Sequence, residues 1–122
     1  MKRDIETRED LENLLNEFYA VATRDEQIGH HFAELDLETH LPIIINFWEK
    51  VLFGKPIYFG NPLAVHQTLH EKSPLTLEHF QRWFEIFEQT VDRLFAGETA
   101  ENAKLRAKMI AHSLDQNLNS QD

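Results

Sequence analysis

Apolar positions recur along most of the chain at helical spacing. Leu11, Leu14, Leu15, Phe18 and Ala22 fall at the i, i+3, i+4, i+7 period of one helix face. This predicts a helix from about Thr7 to Thr23, with Thr7 and Asp10 spaced as a capping box. Tyr19 follows Phe18, near Leu15 on that face. The segment DEQIGHHFAEL then reads as a turn or short helix punctuated by Gly29. The next predicted helix is HLPIIINFWEKVLF, residues 40–53, with Thr39 as its N-cap. Pro42 is tolerable there only in the first turn. Ile43, Ile44, Ile45, Phe47, Trp48, Val51 and Leu52 cover nearly its whole circumference, so burial on more than one side is expected. Gly54 should end it, and Pro56 forbids continuation.

KPIYFGNP is loop by composition, PLAVHQTLH can form one or two helical turns, and Ser73-Pro74 breaks them. Thr76 should cap a third long helix. Its stripe of Phe80, Trp83, Phe84, Phe87, Val91 and Leu94 is the clearest amphipathic pattern in the chain, and Gly97 stops it. Thr99 and Glu101 open the last helix. Its inner face, Ala103, Ala107, Ile110, Ala111 and Leu114, is small enough for close approach to a neighbour. No segment alternates with period two. The pattern predicts one all-α domain, residues 1–122, of four principal helices.

Composition narrows the classes. The chain has 122 residues, 42% hydrophobic and 27% charged, which suits one soluble domain with a real core. It has no cysteine, so disulfides and thiolate metal sites are impossible and a cytoplasmic location is expected. MKRDIETRED lacks the apolar segment of a secretory signal. No run reaches the roughly 18 apolar residues of a membrane span. A net charge of −9 argues against nucleic-acid or anionic-lipid partners. Aromatic residues make up 11% of the chain, nine of them Phe, and there are seven histidines. That suits either a flat apolar cofactor or simply a well-filled core with surface histidines.

His66 and His70 stand four apart between two apolar helices. As a zinc pair they are weak, because Gln67 stands where a catalytic zinc helix needs Glu and no third ligand is evident. One firm imidazole on a short element is also what a haem iron needs, with an apolar pocket and a few distal donors opposite. Candidates for that opposite wall are His40, Ile44 one turn later, Tyr19 and Trp83. Buried Tyr and Trp need partners for their O–H and N–H.

Several motifs occur in order: Phe18-Tyr19, I-G-H-H-F ending at Phe32, His40 eight residues before Trp48 in NFW, PLAVH ending at His66, HFQRWFEIFEQTVDRLFAGE around Trp83, and RAKMIAHSL. Together, over about residues 8 to 116, they resemble the third group of the truncated haemoglobins. The glycine pairs of the other groups are absent. The resemblance implies a shortened globin, a two-over-two helical sandwich with residues 8–23 and 40–53 against 77–95 and 99–116. It implies His66 as proximal iron ligand, with His70 the alternative should the frame shift. It makes Tyr19 the distal tyrosine, His40 a distal histidine able to swing and gate access, and Trp83 the indole over the ligand. Phe32, Ile44 and Trp48 would contact haem or line the cavity. Lys72, His79 and Arg82 are candidates for the haem carboxylates. His30 and His31 receive no role and are expected to be exposed.

The absence of C-x-x-C-H leaves non-covalent haem b as the expected cofactor. Dioxygen or another diatomic molecule is the expected ligand. Oxygen binding ranks first, with nitric oxide or peroxide chemistry open. Redox turnover would require an electron donor such as a separate reductase. Two rival readings are a cofactor-free helical interaction module and a haem-based sensor.

Overall fold

The computed structural model describes residues 2–32, 36–54 and 76–119. Among them lie four α-helices: α1 (Arg8–Ala22), α2 (Leu37–Phe53), α3 (Leu77–Leu94) and α4 (Glu98–Asn119). A 3-10 turn, Gly29–Phe32, follows α1. No strand occurs among the described residues.

The chemistry at each helix start explains its position. The Thr7 hydroxyl accepts from the Asp10 amide, and the Asp10 carboxylate accepts from the Glu6 and Thr7 amides at 2.8 and 3.0 Å. The expected capping box is therefore formed. At α3 the equivalent box uses His79. Thr76 Oγ1 accepts from the His79 amide, and His79 Nδ1 accepts from the Thr76 amide at 3.1 Å. Helix α2 departs from expectation. It begins at Leu37 after Asp36, a turn earlier than the sequence predicts, and Thr39 donates its hydroxyl to Asp36 instead of capping. Pro42 consequently lies past the first turn, where it has no amide to give the Glu38 carbonyl. Gly54 ends α2 in the left-handed region, φ 72°, with its amide on the Lys50 carbonyl at 3.1 Å. Pro56 lies outside the described residues.

Packing pairs α1 with α2 and α3 with α4, and closes the sandwich through α1 on α3 and α2 on α4. This is the two-over-two arrangement. The core gathers Leu11, Leu14, Leu15, Phe18 and Ala22 of α1, Ile45 and Trp48 of α2, Ile86, Phe87 and Val91 of α3, and Ala100, Ala103 and Ala107 of α4. Each fully buried large side chain contributes about 1.5–3 kcal/mol by area removed from water. The alanines on α4 are fully covered, as their size requires for close approach to α3. Helix α2 packs on both α1 and α4 while Ile43 stays 44% exposed. On α3 the expected stripe faces the core, with Trp83, Phe84 and Leu94 half-buried and Ile86 buried beside it.

The N-terminal strap was not anticipated. Ile5 is buried in the core. The Asp4 carboxylate accepts from the Thr99 and Ala100 amides at 2.9 and 2.8 Å and so caps α4 from the other end of the chain. Arg3 pairs with Asp10, which ties the strap to α1. Arg8 links α1 to α2 through Asn46 at 2.7 Å and through buried Glu49.

Candidate ligand pocket

Adjacent positions on α1 point Phe18 into the core and leave Tyr19 half-buried beside it. Phe18 and Tyr19 meet edge-on, with centroids 5.0 Å apart. Tyr19 in turn meets Phe32 of the 3-10 turn edge-on at 5.6 Å. Phe18 also contacts Trp83 of α3 at 6.0 Å, so Tyr19 and Trp83 meet one buried ring and Phe32 joins them through Tyr19. Ile44 of α2 packs on the same core while remaining half-buried. His40 lies one turn before Ile44, also half-buried.

Trp83 is held from behind. Its indole stacks on Phe87 at 5.8 Å, and Phe87 stacks on Trp48 at 4.9 Å, both with planes 16° apart. Trp48 is buried in this stack, where it supports Trp83 through Phe87. Phe87 and Phe18 were visible in the sequence only as core residues. Their part in fixing the Trp83 indole needed the three-dimensional stack.

The polar groups of this wall carry the test of fit for a flat, iron-bearing cofactor. Burial pushes the Tyr19 phenol well above its ordinary pKa, so it stays neutral and remains a donor. The residue nevertheless keeps some accessible surface. Among the described residues, neither the Tyr19 hydroxyl nor the Trp83 indole N–H has a hydrogen-bond partner. Two uncommitted donors among half-buried aromatic side chains suit a small polar ligand beside a planar macrocycle. The residues present fit haem.

Other predicted residues divide cleanly. His66, His70 and Lys72 lie outside the described residues. Arg82 is described, and its guanidinium donates to Asp25 at 2.8 Å and to Glu85 at 2.9 Å. It borders an open surface groove with Val21, Arg24, Asp25 and Gln27. A haem carboxylate would share Arg82 with these acids. His30 is exposed as expected, but His31 is buried, contrary to expectation, because the turn folds it against His79 of α3.

The helical sandwich and its cluster of half-buried aromatics suit a globin-like protein. The family described as "Bacterial-like globin" matches residues 4–118, and this chain belongs to it. The chain is 29% identical over 117 residues to "Group 3 truncated hemoglobin ctb" of Campylobacter jejuni, covering 91% of this chain and 90% of that protein. The crystal structure of a group III truncated hemoglobin from Campylobacter jejuni superposes with a TM-score of 0.85 at 27% identity, over 100% of this chain and 99% of that one. The third-group resemblance drawn from the sequence is thus supported by family, sequence and fold. Globin membership implies haem-based binding of diatomic ligands such as oxygen. No helix among the described residues is long and apolar enough to cross a membrane.

Proposed function

We propose that residues 1–122 form one truncated globin domain that binds haem b without covalent attachment and takes up dioxygen or another diatomic ligand in the cytoplasm. A bound haem would supply the iron at which the diatomic ligand binds, and His66 would hold that iron through a ring nitrogen. Tyr19 and Trp83 donate to the ligand. Phe32, Ile44 and Trp48 wall the cofactor, directly or through their neighbours. His40 gates the distal side. Lys72 and Arg82 meet the carboxylates.

The observation that carries this reading is the pair of donors, Tyr19 and Trp83, without partners among the described residues in an otherwise apolar wall. Hydrogen bonds to a charged acceptor contribute about 1.5–3 kcal/mol each, and each 1.4 kcal/mol is about tenfold in an equilibrium constant. Two such donors give slow release and high affinity. A protein of that kind is a poor carrier and a better scavenger or catalyst of nitric oxide or peroxide chemistry, with electrons drawn from a separate reductase.

The test is the absorption spectrum of the purified protein. A Soret band that persists in His70→Gly and is lost or shifted in His66→Gly is the expected result. A colourless protein that takes up no added haemin would mean a cofactor-free helical module.

A further inference from the structure

Outside the pocket, three histidines converge: His30 and His31 of the 3-10 turn and His79 in the first turn of α3. One ligand atom from each lies within 4.8 Å of the other two. The ring centroids of His30 and His31 are 4.0 Å apart, and that of His79 lies 4.7 Å from His31 and 5.8 Å from His30. We propose that this triad is a second metal site, which takes a divalent transition-metal ion such as Zn2+ and is separate from the haem iron.

Three observations carry the assignment. Imidazole is the donor that zinc, nickel and copper share, and three of them with an open fourth position form a common zinc ligand set. Burial is graded across the triad. His31 is buried and forms the floor, His79 is half-buried, and His30 is exposed, so an ion has a path from solvent and water can take the fourth position. The geometry is also near to closing. A tetrahedral site with zinc–nitrogen bonds of about 2.0–2.1 Å places nitrogens roughly 3.4 Å apart. Rotation about the side-chain torsions of two exposed or half-buried rings covers that difference.

The helix cap sets the affinity. His79 Nδ1 accepts from the Thr76 amide at 3.1 Å, so the neutral ring carries its proton on Nε2. A metal on Nδ1 displaces that amide. A metal on Nε2 moves the proton to Nδ1 and breaks the same bond. The site therefore binds in the micromolar range, weaker than a preformed structural zinc site. Once filled, it pins the turn that carries Phe32 onto the start of α3.

The experiment titrates zinc sulfate into the haem-loaded protein after chelator treatment, read by calorimetry and by metal content after dialysis. The expected result is one zinc per chain at micromolar concentration, with the Soret band unmoved and the thermal midpoint raised. His30→Gln changes an exposed side chain, so the fold survives. It should weaken binding by about tenfold or more and abolish the zinc-dependent rise in midpoint. His79→Gln should do the same if it folds. Absence of binding at micromolar zinc overturns the proposal. So does binding that His30→Gln leaves within about threefold of the parent, well below the loss a missing ligand causes, since the ion would then sit elsewhere.

Discussion

The ring of Tyr19 stands edge-on to the ring of Phe32, with centroids 5.6 Å apart and planes at 86°. This contact joins α1 to the 3-10 turn across a stretch of irregular chain. It uses the ring and leaves the hydroxyl unspent. Packing and the proposed ligand donation therefore reside in different parts of one side chain and can be separated by substitution.

Tyr19→Phe keeps the ring and removes only the donor. Among the described residues the hydroxyl has no partner to lose, so the melting midpoint should hold to within about 0.5 kcal/mol of stability. Ligand release should accelerate about tenfold, the equivalent of one charge-assisted hydrogen bond at the lower end of its range. Flash photolysis or stopped-flow release of dioxygen, alongside a thermal melt, checks both halves. An unchanged release rate would remove Tyr19 from the distal role.

Phe87 is the middle member of the Trp48–Phe87–Trp83 stack and also contacts Phe18 at 5.8 Å. Phe87→Ala should cost about 3–5 kcal/mol through the cavity it leaves. Phe87→Leu fills most of that space but lacks a flat face. We expect Phe87→Leu to fold with a smaller loss and to release ligand faster than the parent, because Trp83 loses the surface that orients it. Denaturant unfolding and release kinetics on the leucine variant distinguish packing from positioning.

Helix number, order and stripes were legible in the sequence because each rests on local periodicity and local caps. Thr7 with Asp10, Thr76, and Gly54 are all short-range signals. What escaped reading depends on distant partners. Asp4 caps α4 from 95 residues away in sequence, and nothing near Thr99 announces it. Helix α2 starts at Leu37 after Asp36, whose carboxylate receives the Thr39 hydroxyl, so Thr39 donates within the first turn instead of capping it. His31 looked like half of an exposed pair until the turn set it against His79. Of the pocket, Tyr19, Phe32 and Trp83 could be named from motif order, whereas the support that Phe18 and Phe87 give them is purely tertiary.

Asp10 makes stability depend on acid. Its carboxylate accepts from the Arg3 guanidinium and from the Glu6 and Thr7 amides, with Arg3 the largest influence, and its pKa falls to about 2 from 3.8. In the unfolded chain the same group takes its proton near the ordinary value. As pH falls below about 4 the unfolded state therefore binds the proton first, and the stabilisation drains away between about pH 4 and 2. Arg3 is 56% exposed, so solvent screening reduces the contribution to about 1 kcal/mol. Asp10→Asn should lower stability at neutral pH by about that amount and flatten the fall below pH 4. Urea midpoints measured from pH 2 to 7 test the slope. A parallel curve for the variant would place the acid sensitivity elsewhere.

Gly97 sits at φ 142°, a backbone conformation that side-chain-bearing residues avoid, directly against the Asp4 cap. A Cβ there would lie 2.5 Å from Asp4 Cγ, far inside contact distance. Gly97→Ala should thus cost twice, through backbone strain of about 1–3 kcal/mol and through loss of a cap of about 0.5–2 kcal/mol. Asp4→Ala alone removes the cap and leaves the backbone at ease. In the double variant the contacts with Asp4 Cγ and Oδ2 are gone, the one with the Cβ at 2.7 Å remains, and the cap is lost only once, so the two substitutions together should destabilise by less than the sum of each alone. Denaturant unfolding of the four proteins measures this coupling. Strict additivity would show that Gly97 and Asp4 do not touch in solution, and that α4 takes its cap from some other group.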